Sequence, residues 1–148
     1  MDILFINSSP NPNGNTARLA AALLEGKEYE TLNLAEYRIY GFGQQFEDDQ
    51  FMEVIGRIRA AKTVVIGSPV YWHNLSGLLR CFFDRTYGPF EEGEFSGRDL
   101  YAVVQGGAPE KWMLEACEYT IQRFAAICGF DYKGMVSTMA EARKMNVE

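Results

Sequence analysis

The fold is indicated first by residues 3–24, which read ILFINSSPNPNGNTARLAAALL. An apolar run, Ile3–Ile6, is followed by a polar loop, Asn7–Thr16, and then by a stripe of Leu and Ala that ends near Gly26. Near-continuous apolar runs are typical of strands covered on both faces, as in a parallel sheet. A stripe at helical spacing is typical of a helix packed on such a sheet. This stretch therefore predicts a strand, a loop at its carboxyl end and a helix that begins near Asn15.

The same alternation continues along the chain. Further apolar runs lie at Thr63–Gly67 and Leu100–Val104, with weaker ones at Tyr29–Leu34 and Tyr132–Thr138. Between them lie helical stripes whose apolar members are Phe51, Val54, Ile55 and Ile58; Leu75, Leu78, Leu79, Phe82 and Phe83; and Cys117, Ile121, Phe124 and Cys128. The last stripe stops at Gly129, and glycine is the usual residue just past a helix C-terminus.

Five strands joined by helices predict one doubly wound α/β domain over residues 1–148. The expected sheet is parallel, with the strand order 2-1-3-4-5 and helices on both faces, which makes three α/β/α layers. The tail after Met139 is too short to predict a full closing helix.

Composition favours an ordinary globular protein. Hydrophobic residues make up 47% of the 148 residues and charged residues 23%, and the formal net charge is -6. An acidic surface without a Lys/Arg-rich stretch repels nucleic-acid phosphates, so nucleic-acid binding is not expected. No stretch approaches the roughly 20 apolar residues that span a bilayer, and Ile3–Ile6 is too short for an export signal. We therefore expect a cytoplasmic protein without a membrane partner.

The thiols and the histidine give little sign of a metal site. Cys81, Cys117 and Cys128 all lie in helical stripes, which fits reduced thiols of a cytoplasmic protein. No Cys-x-x-Cys pair occurs, and His73 is the only histidine, so no protein-ligated metal is expected. A lone histidine is more often a satisfied polar residue than a catalytic one.

The first loop, residues 7–16, is a candidate phosphate site. In an open parallel sheet, ligands bind outside the carboxyl ends of the strands. A helix that begins near Asn15 points free N–H groups and the positive end of its dipole at this loop, which suits a phosphate dianion. The candidate donors are Ser9, Thr16, Asn13 and Asn15. An ordinary turn with an N-cap uses the same residue types, so that interpretation stays open.

Two later loops leave the same edge of the predicted sheet. The second loop, residues 67–76, reads GSPVYWHNLS and carries the large aromatics Tyr71 and Trp72 where burial in the core is difficult. A flat ring could bind there, although packing or an interface also explains them. The third loop, residues 105–109, reads QGGAP, and its glycines suit either a close approach of backbone to a ligand or a tight turn. The coincidence of three such loops favours a ligand site.

Together these residues resemble the NAD(P)H-dependent FMN reductases of the flavodoxin superfamily. The matching motifs are SSPNPNGNTARLA in the first loop and helix, EDDQ at 47–50, GSPVYWHNLSGLLRCFFDR at 67–85 and QGG at 105–107. The motif at 67–85 is the most specific of the series. The resemblance implies a flavodoxin-like fold with FMN as cofactor and NAD(P)H as co-substrate.

The resemblance also implies the site residues. Those around the FMN phosphate would be Ser9, Asn11, Asn13, Asn15 and Thr16. Those that border the flavin ring would be Pro69, Val70, Tyr71, Trp72 and Asn74, with Gly106 and Gly107 on its other side. No side chain is expected to act as a catalytic acid or base, because the flavin itself accepts hydride and passes electrons on.

The function implied is that of an enzyme that oxidises NAD(P)H through FMN and reduces a small acceptor such as a quinone, a free flavin or a nitro compound. Family members usually form homodimers, with the helix that ends in FFDR near the partner. Two alternatives remain: a flavodoxin-type electron carrier, and a flavin-free interaction domain on the same fold. Flavodoxins carry a tighter Thr/Ser-rich phosphate loop and lack the SPVYW segment, which counts against the carrier.

Two departures from the family pattern affect these expectations. Members often carry a basic residue where Asn11 stands, so we expect FMN to be held weakly and to dissociate readily. A subset carries cysteines for an iron–sulfur cluster ahead of the DD pair, whereas residues 38–47 read RIYGFGQQFE. No cluster is therefore expected.

Overall fold

A parallel sheet forms the centre of the computed structural model, which describes residues 2–88, 90 and 92–148. Its strands are β1 (Ile3–Asn7), β2 (Glu30–Asn33), β3 (Thr63–Tyr71), β5 (Asp99–Gln105) and β6 (Asp131–Val136), with the two-residue β4 (Asn74–Leu75) beside β3. The order is β2-β1-β3-β5-β6, and β4 pairs antiparallel with β3. With β4 left aside, the predicted order 2-1-3-4-5 and the doubly wound fold are confirmed.

Helices cover both faces of the sheet. They are α1 (Asn15–Leu23), α2 (Phe51–Ala60), α3 (Gly77–Thr86), α4 (Lys111–Cys128) and α5 (Met139–Lys144), with a 3-10 turn at Leu34–Glu36. One core cluster packs α2, α3 and α4 against the sheet, and a second packs α1 and α5 against the other face. Side chains of β1, β3 and β5 point alternately into the two clusters, as the period of a strand requires. The three-layer architecture follows.

Side-chain capping fixes the start of α3, and a glycine fixes the end of α4. Ser76 caps α3, because its side chain accepts a hydrogen bond from the backbone N–H of Leu79. Gly129 ends α4 in the left-handed conformation, with φ 87°, as its position after the apolar stripe predicts. Within the described residues, no helix is both long enough and apolar enough to cross a membrane.

Three boundaries differ from the sequence prediction. The strand predicted to end at Gly67 continues to Tyr71, because Tyr71 pairs with Asn74 across a two-residue turn. Leu75 lies in β4 rather than in the following helix. The last strand ends before Thr138, whose side chain accepts a hydrogen bond from the N–H of Glu141 and so caps α5. That helix has only six residues, which agrees with a tail too short for a full closing helix.

Candidate functional site at the carboxyl ends of the strands

Consecutive side-chain hydrogen bonds shape the first loop. The backbone N–H of Ser9 donates to Asn7 Oδ1, that of Asn11 to Ser9 Oγ, and that of Asn13 to Asn11 Oδ1, each at 3.1 Å. These local turns use the oxygen atoms of Ser9 and Asn11 as acceptors. The hydroxyl hydrogen of Ser9 and the amide hydrogens of Asn11 can still donate to a ligand.

The amino end of α1 points at this loop. The first hydrogen bond of the helix runs from the N–H of Arg18 to the carbonyl oxygen of Gly14 at 3.1 Å. The N–H groups of Asn15, Thr16 and Ala17 therefore have no carbonyl acceptor within the helix. Together with the helix dipole they make a position that favours an anion. Arg18 lies beside it, and its guanidinium donates to Asn15 Oδ1 at 3.2 Å.

Buried hydroxyl groups tie the first loop to the second. Ser8 Oγ donates to the carbonyl oxygen of Gly67 at 2.7 Å, and Ser76 Oγ donates to Ser8 Oγ at 2.9 Å. The backbone N–H of Ser76 in turn donates to Ser68 Oγ at 2.9 Å. All three serines are buried, so their mutual bonds replace the water that they lose on folding. This network holds the ends of β1 and β3 in one arrangement.

Gly67 lets α1 approach the sheet closely at this point. A Cβ atom on Gly67 would lie 2.6 Å from the ring of Phe5 and 2.8 Å from the methyl group of Thr16. Both distances are far below van der Waals contact, so any larger residue would push the start of α1 away from β3. The position of the first loop over the strand ends thus depends on this glycine.

Gln105 connects the first loop to the third. Its side-chain amide donates to Thr16 Oγ1 at 3.2 Å, and Thr16 is fully buried. Gln105 also lies opposite Pro69 in the β3–β5 register. Three chain segments therefore meet around these residues, as the coincidence of three unusual loops predicted.

A cleft of about 250 Å³ opens beside this junction, and we call it the strand-end cleft. It is lined by Val70, Trp72, His73, Gly106, Gly107, Ala108, Pro109 and Met113. A Cβ on Gly107 would meet nothing within 4 Å, so packing does not require glycine there and its absent side chain leaves the cleft open. The side chains that line this cleft are mostly apolar, and its surface also carries polar groups. A cleft of this kind near a phosphate-type loop suits FMN, which has a flat ring at one end and an anion at the other.

The structure brings together part of the predicted site. Val70, Trp72, Gly106 and Gly107 line the strand-end cleft, whereas Ser9 and Thr16 are buried in and next to the first loop. Pro69 is also buried, and its register with Gln105 places it at the junction. Asn11 and Asn15 take part in the turns of the loop and the start of α1.

Three further predicted residues also lie outside the cleft lining. Asn13 lines a separate groove on the outer side of α1, together with Arg18 and other residues. The side-chain oxygen of Asn74 accepts from the N–H of Leu75 at 2.9 Å and from the thiol of Cys117 at 3.8 Å. Tyr71 is about half exposed on β3.

The sequence interpretation missed the polar residues that join the loops. In the sequence, Gln105 stands out only as part of the glycine-rich loop QGGAP, and nothing distinguishes Ser8, Ser68 and Ser76 from other loop residues. The available signals were weak: serine before a helix predicts a cap, and the first loop has two consecutive serines. Which distant hydroxyl each would meet depends on strand register, which a single sequence does not give.

An ion pair joins α3 to segment 38–50. The guanidinium of Arg85 binds both carboxylate oxygens of Asp49, at 2.6 and 2.9 Å, and donates to the carbonyl oxygen of Tyr40 at 3.0 Å. The hydrogen bond from Arg85 lowers the pKa of Asp49 to about 2. Arg85 also lies over the ring of Phe51, 4.7 Å from its centroid. This ion pair fixes segment 38–50 against α3.

Cys81 and Cys117 are not activated as nucleophiles. Burial raises the pKa of the Cys117 thiol to about 11 and raises that of Cys81, so both are protonated near neutral pH. Within the described part of the chain, no cluster of His, Cys, Asp or Glu could hold a metal ion.

A second and larger hollow lies between α3 and α4, and we call it the α3–α4 groove. Its volume is about 430 Å³, and apolar side chains including Phe83, Phe124 and Ile127 form most of its walls. Phe42 of segment 38–50 and Tyr87 meet edge to face at its rim, 5.8 Å apart, and both are mostly exposed.

Comparison with known proteins places the chain in a family. Residues 1–141 match the family model of NADPH-dependent FMN reductase. A curated relative, a putative NAD(P)H-dependent FMN-containing oxidoreductase of Bacillus subtilis, is 26% identical over 92% of this chain and 83% of its own length.

Solved structures share the fold. The Trp repressor binding protein of Bacillus subtilis superposes with a TM-score of 0.78 at 23% identity, covering 99% of this chain and all of that one. An FMN-dependent NADH-azoreductase of Bacillus anthracis, solved in complex with FMN, gives a TM-score of 0.72 at 15% identity, covering 97% of this chain and 93% of that one. These likenesses confirm the flavodoxin-like fold. The family match confirms FMN as cofactor and NAD(P)H as co-substrate at the level of the family, and the chain belongs to the NADPH-dependent FMN reductase family.

Proposed function

We propose that this protein binds FMN across the first loop and the strand-end cleft and passes electrons from NAD(P)H to a small acceptor. The observation that carries the proposal is the junction of loops at Thr16 and Gln105, with an anion-type helix end on one side and, on the other, an open cleft with mostly apolar side chains. Brought together at the carboxyl ends of parallel strands, these features are typical of a nucleotide site.

The phosphate would lie at the amino end of α1. The proposed donors are the side chains of Ser9, Asn11, Asn13, Asn15 and Thr16, with the first N–H groups of the helix. Support comes from Ser9, whose hydroxyl can donate while its oxygen accepts from Asn11, and from Thr16, which the bond from Gln105 fixes at the start of α1. Asn13, which borders the outer groove, is the weakest of the five, because it would have to turn toward the ligand.

The flavin ring would lie in the strand-end cleft. The proposed contacts are Pro69, Val70, Tyr71, Trp72 and Asn74 on one side and Gly106 and Gly107 on the other. When bound, FMN supplies the hydride and electron chemistry, and the protein positions the ring and limits water around it. The backbone of the two glycines can approach the ring closely because no side chain intervenes.

The proposed acceptor is a small flat molecule, a quinone, a free flavin or a nitro compound, that reaches the ring from solvent. Trp72 supports this, because its side chain is 96% exposed at the mouth of the cleft. An exposed aromatic face there offers a stacking surface to an aromatic acceptor.

We further propose that the protein is a cytoplasmic homodimer whose interface includes the α3–α4 groove. The groove supports this proposal because its walls are mainly apolar side chains, which an interface between two copies could bury. Across a two-fold axis the same residues meet twice, so Asp84 of one protomer can face Arg80 or Arg123 of its partner beside the apolar walls.

The test is an absorption spectrum of the purified protein with added FMN, followed by anaerobic NADH or NADPH. We expect saturable binding and bleaching of the flavin by a nicotinamide without another protein. A bound flavin that stays oxidised with both nucleotides, yet accepts electrons from a separate reductase, would instead identify an electron carrier.

A matched pair of variants ties the result to the cleft. Gly107→Leu fills the open space of the cleft, whereas Gly56→Leu adds the same side chain to the exposed face of α2. We expect the first variant to fold and to lose FMN binding, and the second to bind FMN like the natural protein. Equal FMN affinity in both variants would exclude the cleft as the ring site.

A further inference from the structure

The single histidine of the chain occupies an unusual backbone position. Trp72 and His73 form the two-residue turn between β3 and β4, and their φ values are 44° and 64°. Positive φ is rare for residues other than glycine, and turns of this kind usually contain Asn-Gly or similar pairs. Such a strained conformation is maintained only where the surrounding structure holds the residue in it. His73 is therefore placed by the fold rather than by the preference of its own backbone.

The imidazole is also supported from α4. Its ring meets that of Trp112 edge to face, with centroids 5.3 Å apart, and the indole N–H of Trp112 donates to the carboxylate of Glu110 at 2.6 Å. The charged residues at this end of α4 are Glu110 and Lys111. His73 nevertheless remains exposed, so it can exchange protons with solvent.

His73 differs in chemistry from the rest of the cleft lining. Among the described residues that line the strand-end cleft, the others are Val70, Trp72, Gly106, Gly107, Ala108, Pro109 and Met113. None of these side chains carries a proton that it could transfer as an acid, whereas imidazole is a general acid–base group.

We propose that His73 is the proton donor to the acceptor in the strand-end cleft. The inference rests on the proposed function. Reduction of a quinone to a hydroquinone adds two electrons and two protons, counted as one hydride and one proton. The cofactor reduced by NAD(P)H supplies the hydride. The imidazolium of His73 supplies the proton: its N–H bond breaks, an O–H bond forms on the acceptor oxygen, and the neutral imidazole is reprotonated from solvent.

The variant His73→Asn separates this role from the turn. Asparagine adopts the left-handed conformation more readily than most residues and can donate a hydrogen bond, but it cannot transfer a proton at neutral pH. His73→Gly provides a second variant that relieves the backbone entirely. Both should retain FMN, which the flavin absorbance measures.

The experiment compares two acceptors. FMN-loaded protein is reduced with dithionite, so that the result does not depend on NADH or NADPH, and is then mixed with menadione or with ferricyanide. Menadione needs protons on its oxygen atoms, whereas ferricyanide takes electrons alone. We expect both variants to react with menadione about a hundredfold more slowly than the natural protein and with ferricyanide at an unchanged rate.

Nitrogen NMR of the oxidised FMN-loaded protein gives a readout without turnover. Because the chain has one histidine, its ring nitrogen signals need no further assignment. Saturating menadione should move one of them. Parallel rates for menadione and ferricyanide in the variants, or imidazole signals that do not respond to menadione, would overturn the role of His73. Failure of NADH and NADPH to reduce the flavin would instead overturn the proposed function and leave the acceptor comparison intact.

Discussion

The strand-end cleft and the α3–α4 groove differ in volume and in the polar groups around them, and the smaller of the two has more polar groups nearby. The groove is the larger, about 430 Å³ against about 250 Å³, and its walls are mainly apolar helix side chains. The cleft is smaller, but Gly106 in its lining follows Gln105, whose side chain donates to Thr16 in the first turn of α1. Buried serine hydroxyls join the neighbouring ends of β1 and β3.

The difference shows which features identify a ligand site. Volume and apolar area alone fit a second copy of the chain as well as a small molecule. Converging polar groups at strand ends fit a charged cofactor, because they can satisfy a phosphate that bare apolar walls would leave without partners. These differences support the proposals that the cofactor binds in the cleft and that the groove belongs to a subunit interface, and variants can separate the two roles.

The largest effect is expected in the groove. Ile127→Asp places a carboxylate on a groove wall where 42% of the isoleucine side chain is exposed in one protomer. Burying that charge at an interface costs more than about 3 kcal/mol, so we expect the dimer to dissociate at micromolar concentrations. Analytical ultracentrifugation measures the change. Met139→Asp, at 41% exposure outside the groove, is the control and should remain dimeric. A natural protein that is monomeric at high concentration would refute the interface.

The next effect is expected beneath the cleft. Gly67→Ala forces a Cβ against Phe5 and Thr16, which should lower the free energy of unfolding by about 1–3 kcal/mol and weaken FMN binding. Gly56→Ala, in the open interior of α2, should raise the free energy of unfolding by about 0.5–1 kcal/mol. Urea denaturation gives both values. Equal stability of the two variants would mean that α1 does not depend on the close approach.

A similar loss is expected where segment 38–50 packs against α3. Hydrogen bonds from Arg85, and from the backbone N–H groups of Tyr40 and Phe51, lower the pKa of Asp49 from 3.8 to about 2. These contacts of the ionised carboxylate together contribute about 2 kcal/mol above pH 4, and the contribution disappears as the pH falls toward 2. Asp49→Asn should therefore lower the free energy of unfolding by about 2 kcal/mol at pH 7, with the difference shrinking in acid. Both partners are only 18% exposed, so solvent screens the pair little.

The control for this ion pair is the neighbouring Asp48. Its ion pair with Arg38 is 3.7 Å long, and both side chains are more than half exposed. Its Oδ1 also accepts from the Tyr40 hydroxyl at 2.8 Å, a bond that the amide oxygen of asparagine can keep. Asp48→Asn should therefore change stability by less than about 0.5 kcal/mol. Denaturation curves at pH 7 and pH 3 measure the four values. Equal effects of the two substitutions at pH 7 would contradict the assignment of segment 38–50 to Arg85.

The smallest effect is expected in the first loop. Asn11→Asp keeps the side-chain oxygen that accepts from Asn13 but adds a negative charge beside the proposed phosphate. FMN affinity should fall about tenfold, whereas stability should rise by a few tenths of a kcal/mol because the charge faces the amino end of α1. Calorimetry with FMN at two salt concentrations measures the loss, which salt should reduce. Asn146→Asp makes the same charge change far from the cleft, and FMN affinity unchanged relative to it would remove the phosphate from the first loop.

Elements with a strong periodic signal could be predicted from the sequence. Ile3–Asn7 and Asp99–Gln105 are apolar runs buried on both faces, and burial of that kind leaves a clear mark in composition. The positions of the loops after these strands can be predicted as well, because the chain direction of parallel strands decides which loops lie at the same edge of the sheet. That reasoning predicts, without any contact information, that the first loop and the QGGAP loop share one edge of the sheet, and the bond between Gln105 and Thr16 joins them there.

The hairpin of β3 and β4 could not be predicted in the same way. Leu75 falls at helical spacing with Leu78 and Leu79, so periodicity favours the wrong element. The turn at Trp72 and His73 lacks glycine and asparagine, which are the usual signals of a two-residue turn. The bond between Gln105 and Thr16 joins residues 89 positions apart, and only the register of the folded sheet determines it.

A fluorescence titration of the apoprotein with FMN addresses the assignment of the cleft. The chain has two tryptophans: Trp72 lines the cleft, and Trp112 contacts His73 beside it. FMN should therefore quench most of the emission in a saturable manner, Trp72→Phe and Trp112→Phe should each remove part of the signal, and riboflavin, which lacks the phosphate, should bind more weakly. Emission that does not change at saturating FMN, or equal affinity for riboflavin and FMN, would contradict a cofactor held between the first loop and the strand-end cleft.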